Sequence, residues 1–256
     1  MKFLRSLLIG LAAWALTVAP VAAAITVADL GVAISASSVA TITITTGAND
    51  CPVGSYVFVA LAVGNSSAWT VSDGHSNTYA ALNTTYTTNQ KLVLISAKVT
   101  TDVSPSSSLQ INWTTNSTPA AAAICVTGLL ATTPLDKTGG GYDSVTTQTS
   151  ITGTGSPLTT GPLSVTNEIV IGVWNTTATY GTWVEDANFT SDNFPTPGAN
   201  HNVRIAHCVT NCSATTSVGY APTWATNRIV GAQVWSFKPA AASSAAPKGT
   251  LLGVGP

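Results

Sequence analysis

The chain has 256 residues, of which 45% are apolar and only 7% charged, with nine basic residues against ten acidic ones. That balance, without a Lys/Arg run or a basic stripe interleaved with aromatics, excludes nucleic acid and other polyanions as partners. Solubility rests on Ser, Thr, Asn and Gly, and a Thr-rich, β-branched sequence with few helix formers suits a pleated, half-solvated surface.

At the start, Lys2 and Arg5 lead into the apolar run Leu7 to Val18, which closes on small residues at Ala22 and Ala24. This is the pattern of a secretory signal peptide over residues 1–24, cleaved before Ile25, and its apolar run is short for a membrane span. The strict alternation Thr41-Ile42-Thr43-Ile44-Thr45 predicts an outer strand with one buried face. Residues 56–63 and 169–174 are apolar on both faces and predict central strands. Further strands are predicted over 69–72, 78–82, 91–100, 109–113, 121–129, 144–149, 203–209, 216–220 and 229–237. Gly64-Asn65, Asp73-Gly74, Ser104-Pro105, Thr118-Pro119, Gly139-Gly140-Gly141 and Pro195-Thr196-Pro197-Gly198 are the predicted breaks between them. About a dozen strands and no helical pattern predict one all-β domain over 25–238, a two-sheet antiparallel β-sandwich with jelly-roll-like connections. From 239 to 256 the sequence is rich in Ala, Pro and Ser and reads as a flexible tail. Its end is too short to span a bilayer, and the strands are too short and irregular for an outer-membrane barrel.

Cys51, Cys125, Cys208 and Cys212 are even in number and, in an oxidising compartment, predict two disulfides out of three connectivities. The tight spacing favours Cys208 with Cys212, which leaves Cys51 with Cys125. A zinc site at His207, Cys208 and Cys212 is the competing reading, but the spacing does not follow the paired ligands of zinc modules.

The stretch Val71 to Tyr79 places Asp73, His75 and Asn77 around one turn. Asp73 and Asn77 are hard oxygen ligands and weak candidates for calcium, although one carboxylate is few for such a loop. The alternative is a turn in which both side chains bond the backbone and Gly74 takes a positive φ. This Ser-Asp-x-x-x-Asn-Thr-Tyr turn is followed by Lys91 to Lys98, by Val126-Thr127-Gly128-Leu129, by Pro134-Leu135-Asp136, by Asn167 to Gly172 and by Ile229 to Phe237. In that order, over residues 42–237, they resemble a loose group of secreted bacterial and phage-associated β-sandwich domains. The resemblance implies a jelly-roll sandwich, often attached to larger surface or tail proteins, with no established catalytic residues. The four cysteines are a departure from the group.

For sugar-bond hydrolysis, two acids would have to flank the bond. Glu168 and Glu185 are the two glutamates, with Asp186 beside the second, and neither sits in a Glu-x-Asp-x-x-Glu arrangement. His75, His201 and His207 lack a Gly-x-Ser-x-Gly turn to complete a serine triad, and read as polar strand or loop residues. Aromatic rings stack on sugar faces while amides bond hydroxyls. By that logic Tyr180, Trp183, Phe189 and Phe194, with Asn188, Asp192, Asn193 and Asn200, form the candidate binding face. The alternative there is that Trp183 and Phe189 plug the end of the sandwich; Trp113, Trp174 and Trp235 lie in strand patterns and read as core. Seven Asn-x-Ser/Thr sequons, from Asn65 to Asn211, follow mainly from the Ser/Thr content. The expected function is that of a secreted, non-catalytic surface adhesion or carbohydrate-binding module. Its rivals are a structural protein of a surface layer, fibre or virion and, third, a glycoside hydrolase.

Overall fold

The computed structural model describes residues 23–64, 68–86, 91–143, 148–150, 158–193, 201–210, 212 and 216–241. The predicted signal segment up to residue 22 and the predicted tail from residue 242 lie outside them. Every regular element among the described residues is a strand, and none is a helix long and apolar enough to cross a membrane. The first half contains β1 (Thr26–Ile34), β2 (Val39–Thr45), β3 (Tyr56–Val63), β4 (Trp69–Ser72), β5 (Ala80–Tyr86), β6 (Lys91–Lys98), β7 (Ser108–Ser117) and β8 (Ala120–Thr127). The second contains β9 (Leu135–Asp143), β10 (Gln148–Ser150), β11 (Leu158–Pro162), β12 (Ile169–Thr176), β13 (Trp183–Val184), β14 (Thr190–Asn193), β15 (Asn202–Cys208), β16 (Ser217–Tyr220), β17 (Thr223–Arg228) and β18 (Val230–Phe237).

These form two five-stranded antiparallel sheets, β1-β8-β3-β6-β5 and β14-β15-β12-β18-β9, and three smaller ones, β2-β7-β4, β10-β17-β13 and β11-β16. The predicted sandwich is the face-to-face pair of five-stranded sheets. Phe58, Ala60, Leu94 and Ile124 of one meet Ile171, Val173, Ile205 and Trp235 of the other in a central core. Because side chains alternate along a strand, the same strands also send apolar residues outward. Val57, Val59 and Leu61 pack under Ile44, Ile111 and Trp113 of the outer β2-β7-β4 sheet. Val170, Trp174 and Val234 pack under Leu158, Tyr220 and Trp224 of the other two small sheets. The result is a stack of four layers, which is why β3 and β12 are apolar on both faces.

The two halves share one framework. Read from its first strand, each five-stranded sheet has the same order, β1-β8-β3-β6-β5 and β9-β18-β12-β15-β14. The register agrees as well: Val57 lies opposite Cys125 and Ala97, and Val170 lies opposite Ser236 and Cys208. The outermost pairing slips at the same place, between Ala81 and Asn83 in β5 and between Ser191 and Asn193 in β14. The β2-β7-β4 and β10-β17-β13 sheets each carry a cross-strand tryptophan pair, Trp69 opposite Trp113 and Trp183 opposite Trp224. The halves are therefore a structural repeat, packed together through the faces their larger sheets have in common.

Gly139-Gly140-Gly141, expected as a break, lies inside β9. A Cβ on Gly139 would stand 2.4 Å from a methyl carbon of Val234 and 2.8 Å from the Thr159 carbonyl oxygen, so its role is to admit close approach of backbones. Gly74 has the expected positive φ, 73°. The disulfides are Cys51–Cys125 and Cys208–Cys212, which fit an oxidising, extracytoplasmic environment and leave no thiolate at Cys208 or Cys212 for zinc.

Since the first bridge spans 74 positions and the second four, chain entropy predicts stabilisation of about 4 and about 2 kcal/mol respectively. Replacing Cys51 and Cys125 by Ala should therefore cost more unfolding free energy in urea than replacing Cys208 and Cys212. Equal losses would refute that ranking.

Candidate functional site

The aromatic residues of the sequence-derived binding face turn inward. Tyr180 is 1% and Phe189 7% exposed, and Trp183 is half-buried against the outer core of the second half. Trp183 packs on Trp174 with ring centroids 4.5 Å apart and lies nearly parallel to Trp224 at 5.9 Å. Arg204, placed by β15 at the centre of this group, holds its guanidinium 4.5 Å from the Trp183 centroid and 5.3 Å from that of Tyr180. Its Nε and Nη2 donate to the Tyr180 hydroxyl at 3.1 and 2.9 Å, and its Nη1 to Ser191 Oγ at 3.4 Å. The Trp183 indole N–H donates to Glu185 at 3.2 Å. Burial pushes the Glu185 carboxyl up, against the hydrogen bonds from Trp183 and Asp186 and the charge of Arg204, and pushes the neighbouring Tyr220 hydroxyl up as well. This group fills the space between the second five-stranded sheet and the outer sheet over it.

The polar members of that face separate. Asn188 is exposed, and its backbone N–H donates to Asp186 Oδ1 at 2.9 Å. Asp192 Oδ1 lies 2.6 Å from His207 Nδ1; burial raises Asp192, against the lowering effect of that histidine. Asn193 ends β14, while Phe194 and Asn200 lie outside the described residues. His201 is buried, with Nδ1 3.0 Å from the Thr118 hydroxyl, and burial pushes its pKa down.

The two glutamates occupy different neighbourhoods. Glu185 belongs to the aromatic group, whereas Glu168 precedes β12, fully buried beside Asp136. Glu168 Oε1 accepts the N–H groups of Ser164 and Val165, each at 3.0 Å. Asp136 accepts from the Ser164 N–H and from Lys238 Nζ, each at 2.9 Å. Burial raises Glu168, and Asp136 adds to it, against the N–H of Val165. Burial would raise Asp136 too, but hydrogen bonds from Ser164 and Lys238 outweigh it and hold the carboxyl well below its usual range. Together they clamp the residues that lead into β12 to the segment after β18.

Asp73 and Asn77 come together in a turn whose oxygens are already engaged. Asp73 Oδ1 accepts the His75 N–H at 2.8 Å, and Oδ2 accepts from Asn77 Nδ2 at 2.6 Å and from the Tyr79 hydroxyl at 3.0 Å. Asn77 Oδ1 accepts from the backbone N–H groups of Thr100 and Thr101 and from the Thr100 hydroxyl, while its amide also donates to the Thr101 carbonyl. Burial, then Asp73, pushes the Tyr79 hydroxyl well above its usual value.

The first half has an opening that sequence reasoning passed over. A pocket of about 200 Å³ is lined by Ala68, Trp69, Thr70, Asn112, Trp113 and Thr114. Trp113 is anchored by its N–H donating to the Val39 carbonyl at 3.0 Å, and Lys91 Nζ lies 5.8 Å from the half-buried Trp69 ring. On the outer face beside it, Thr41 Oγ1 donates to Asn112 Oδ1 at 2.7 Å. Trp113, read as core, is indeed 5% exposed; what the sequence did not show is that pairing of β4 with β7 sets the half-buried Trp69 beside it. No protein family, curated protein or solved structure matches the chain.

The Asp136–Glu168 arrangement fixes a pH dependence. The contribution of Glu168, whose folded pKa is raised, is complete below its unfolded pKa of about 4.3 and is lost as pH rises through the folded value. That of Asp136, whose folded pKa is depressed, is complete above its unfolded value of about 3.9 and is lost as pH falls through the folded one. Glu168→Gln, a stand-in for the protonated acid, should abolish the loss on the alkaline side and leave the acid side unchanged in urea titrations run from pH 3 to 8. Parallel profiles for both proteins would refute the raised Glu168.

Proposed function

We propose that the protein is a secreted, non-catalytic β-sandwich that binds neutral glycans and serves in surface adhesion. The observation that carries this reading is the pocket at the half-buried Trp69 and the largely buried Trp113, which Thr70, Asn112 and Thr114 also line. Such a site suits a sugar ring, whose apolar C–H face stacks on aromatics while its hydroxyls exchange hydrogen bonds with amides. The low charge of the chain suits an uncharged ligand. Engagement of Glu168 with Asp136, and of Glu185 with Trp183, in packed interiors supports a role without sugar-bond cleavage. The signal-like first 24 residues and the two disulfides support action outside the cytoplasm.

The test is binding of residues 25–256 to an array of neutral polysaccharides, with two tryptophan variants compared. Trp69→Ala should keep the fold and weaken binding by roughly tenfold, the loss of one stacking contact. Trp183→Ala should instead cost about 3–5 kcal/mol of unfolding free energy, as loss of a packed aromatic does. Binding should be the same in calcium and in EDTA, since the Asp73 and Asn77 oxygens already accept hydrogen bonds. Silence across the array would refute glycan binding and favour assembly into a surface structure.

A further inference from the structure

We infer that the ligand is an unbranched neutral polysaccharide lying along β7 and contacted over several units, not a single terminal sugar; this rests on the glycan reading above. A second opening, of about 350 Å³, lies on the outer face of the same small sheet and is lined by Thr43, Ser72, Asp73, Gly74, Ser108 and Gln110. The two openings occupy successive rows of one strand pairing. Thr70 is opposite Asn112 in the first, and Ser72 is opposite Gln110 in the second. On the other side of β7, Thr41 and Thr43 face the same two residues. Rows on one face of a strand repeat about every 7 Å, and the strip from Trp113 to Ser108 runs about 17 Å, longer than one sugar ring. Asp73 contributes the strip's carboxylate, which is turned to His75, Asn77 and Tyr79; the other lining side chains are hydroxyls, amides and indoles.

The second half repeats the framework with different side chains at the equivalent positions. Its counterpart of β4 is the two-residue β13, and Val184, 58% exposed, stands opposite Thr223 where the first half pairs Thr70 with Asn112. Beneath the Trp183–Trp224 pair lie Trp174 and Arg204, which are paired across β12 and β15. The corresponding pair beneath Trp69 and Trp113 is Leu61 and Val93. Trp174 and Arg204 in one half thus stand where the other has the fully buried aliphatic residues Leu61 and Val93.

The test is calorimetric titration of residues 25–256 with one series of linear neutral oligosaccharides, from monosaccharide to hexasaccharide, chosen from the polymer that binds best. Affinity should rise roughly tenfold or more between monosaccharide and tetrasaccharide and then level off. Gln110→Ala, an exposed change that should leave thermal unfolding unaltered, should remove most of that gain while monosaccharide binding persists; Trp69→Ala should weaken every length. Equal affinity for all lengths, or a Gln110→Ala variant with an unchanged length profile, would overturn the extended strip while leaving glycan binding intact. Failure of every oligosaccharide and polymer to bind would overturn both.

Discussion

The central core between the two five-stranded sheets is the constraint on which the rest depends. Burying Phe58, Ile124, Ile171 and Trp235 there removes one face of each sheet from water, and strand alternation then leaves a second apolar face on each. A sheet with two apolar faces is unstable until both are covered. The three small sheets answer that need: Ile44, Ile111 and Trp113 cover one side, and Leu158, Tyr220 and Trp224 the other. Their outer faces can then be polar, and this is how a Thr-, Ser- and amide-rich surface arises on a chain with so little charge.

Repetition of the framework separates what the fold requires from what individual side chains add. Positions facing the central core conserve apolar character across the halves, as Phe58 and Ile171 or Ile124 and Trp235 do. Positions under the outer sheets differ more. Where Leu61 and Val93 sit in the first half, Trp174 and Arg204 sit in the second, and the guanidinium packs against the Tyr180 and Trp183 rings. Each half also turns after its short outer strand through an Asp that accepts a backbone N–H two residues on, Asp73 from His75 and Asp186 from Asn188. The same local chemistry thus serves a tightly bonded turn in one half and the edge of an aromatic group in the other.

The few ionisable groups in the interior do structural work through their partners. Glu168 and Asp136 tie the residues before β12 to the segment following β18, where Lys238 completes the contact. Arg204 is kept in the interior by Tyr180, Ser191 and the Trp183 ring. A buried charge without such partners would be costly.

By itself the sequence determined the antiparallel β class, most strand positions, the two central strands and the turn at Asp73-Gly74. These follow from local rules, namely period-two alternation, β-branched composition and the backbone freedom of glycine. The even number of cysteines and the tight spacing of Cys208 and Cys212 were enough to suggest the pairing now found. The repeat was illegible because equivalent positions match in burial and register but not in residue type, as Ala122 and Gln233 show, both in the strand beside the central one. Tyr180 and Phe189 looked like surface aromatics because their neighbours in sequence are polar; Arg204 and Tyr220, distant along the chain, bury them. Gly139-Gly140-Gly141 looked like a turn because the backbones it must approach belong to β11 and β18. Which tryptophans pack together is decided by pairing between strands far apart in the chain, and only the tertiary structure sets that pairing.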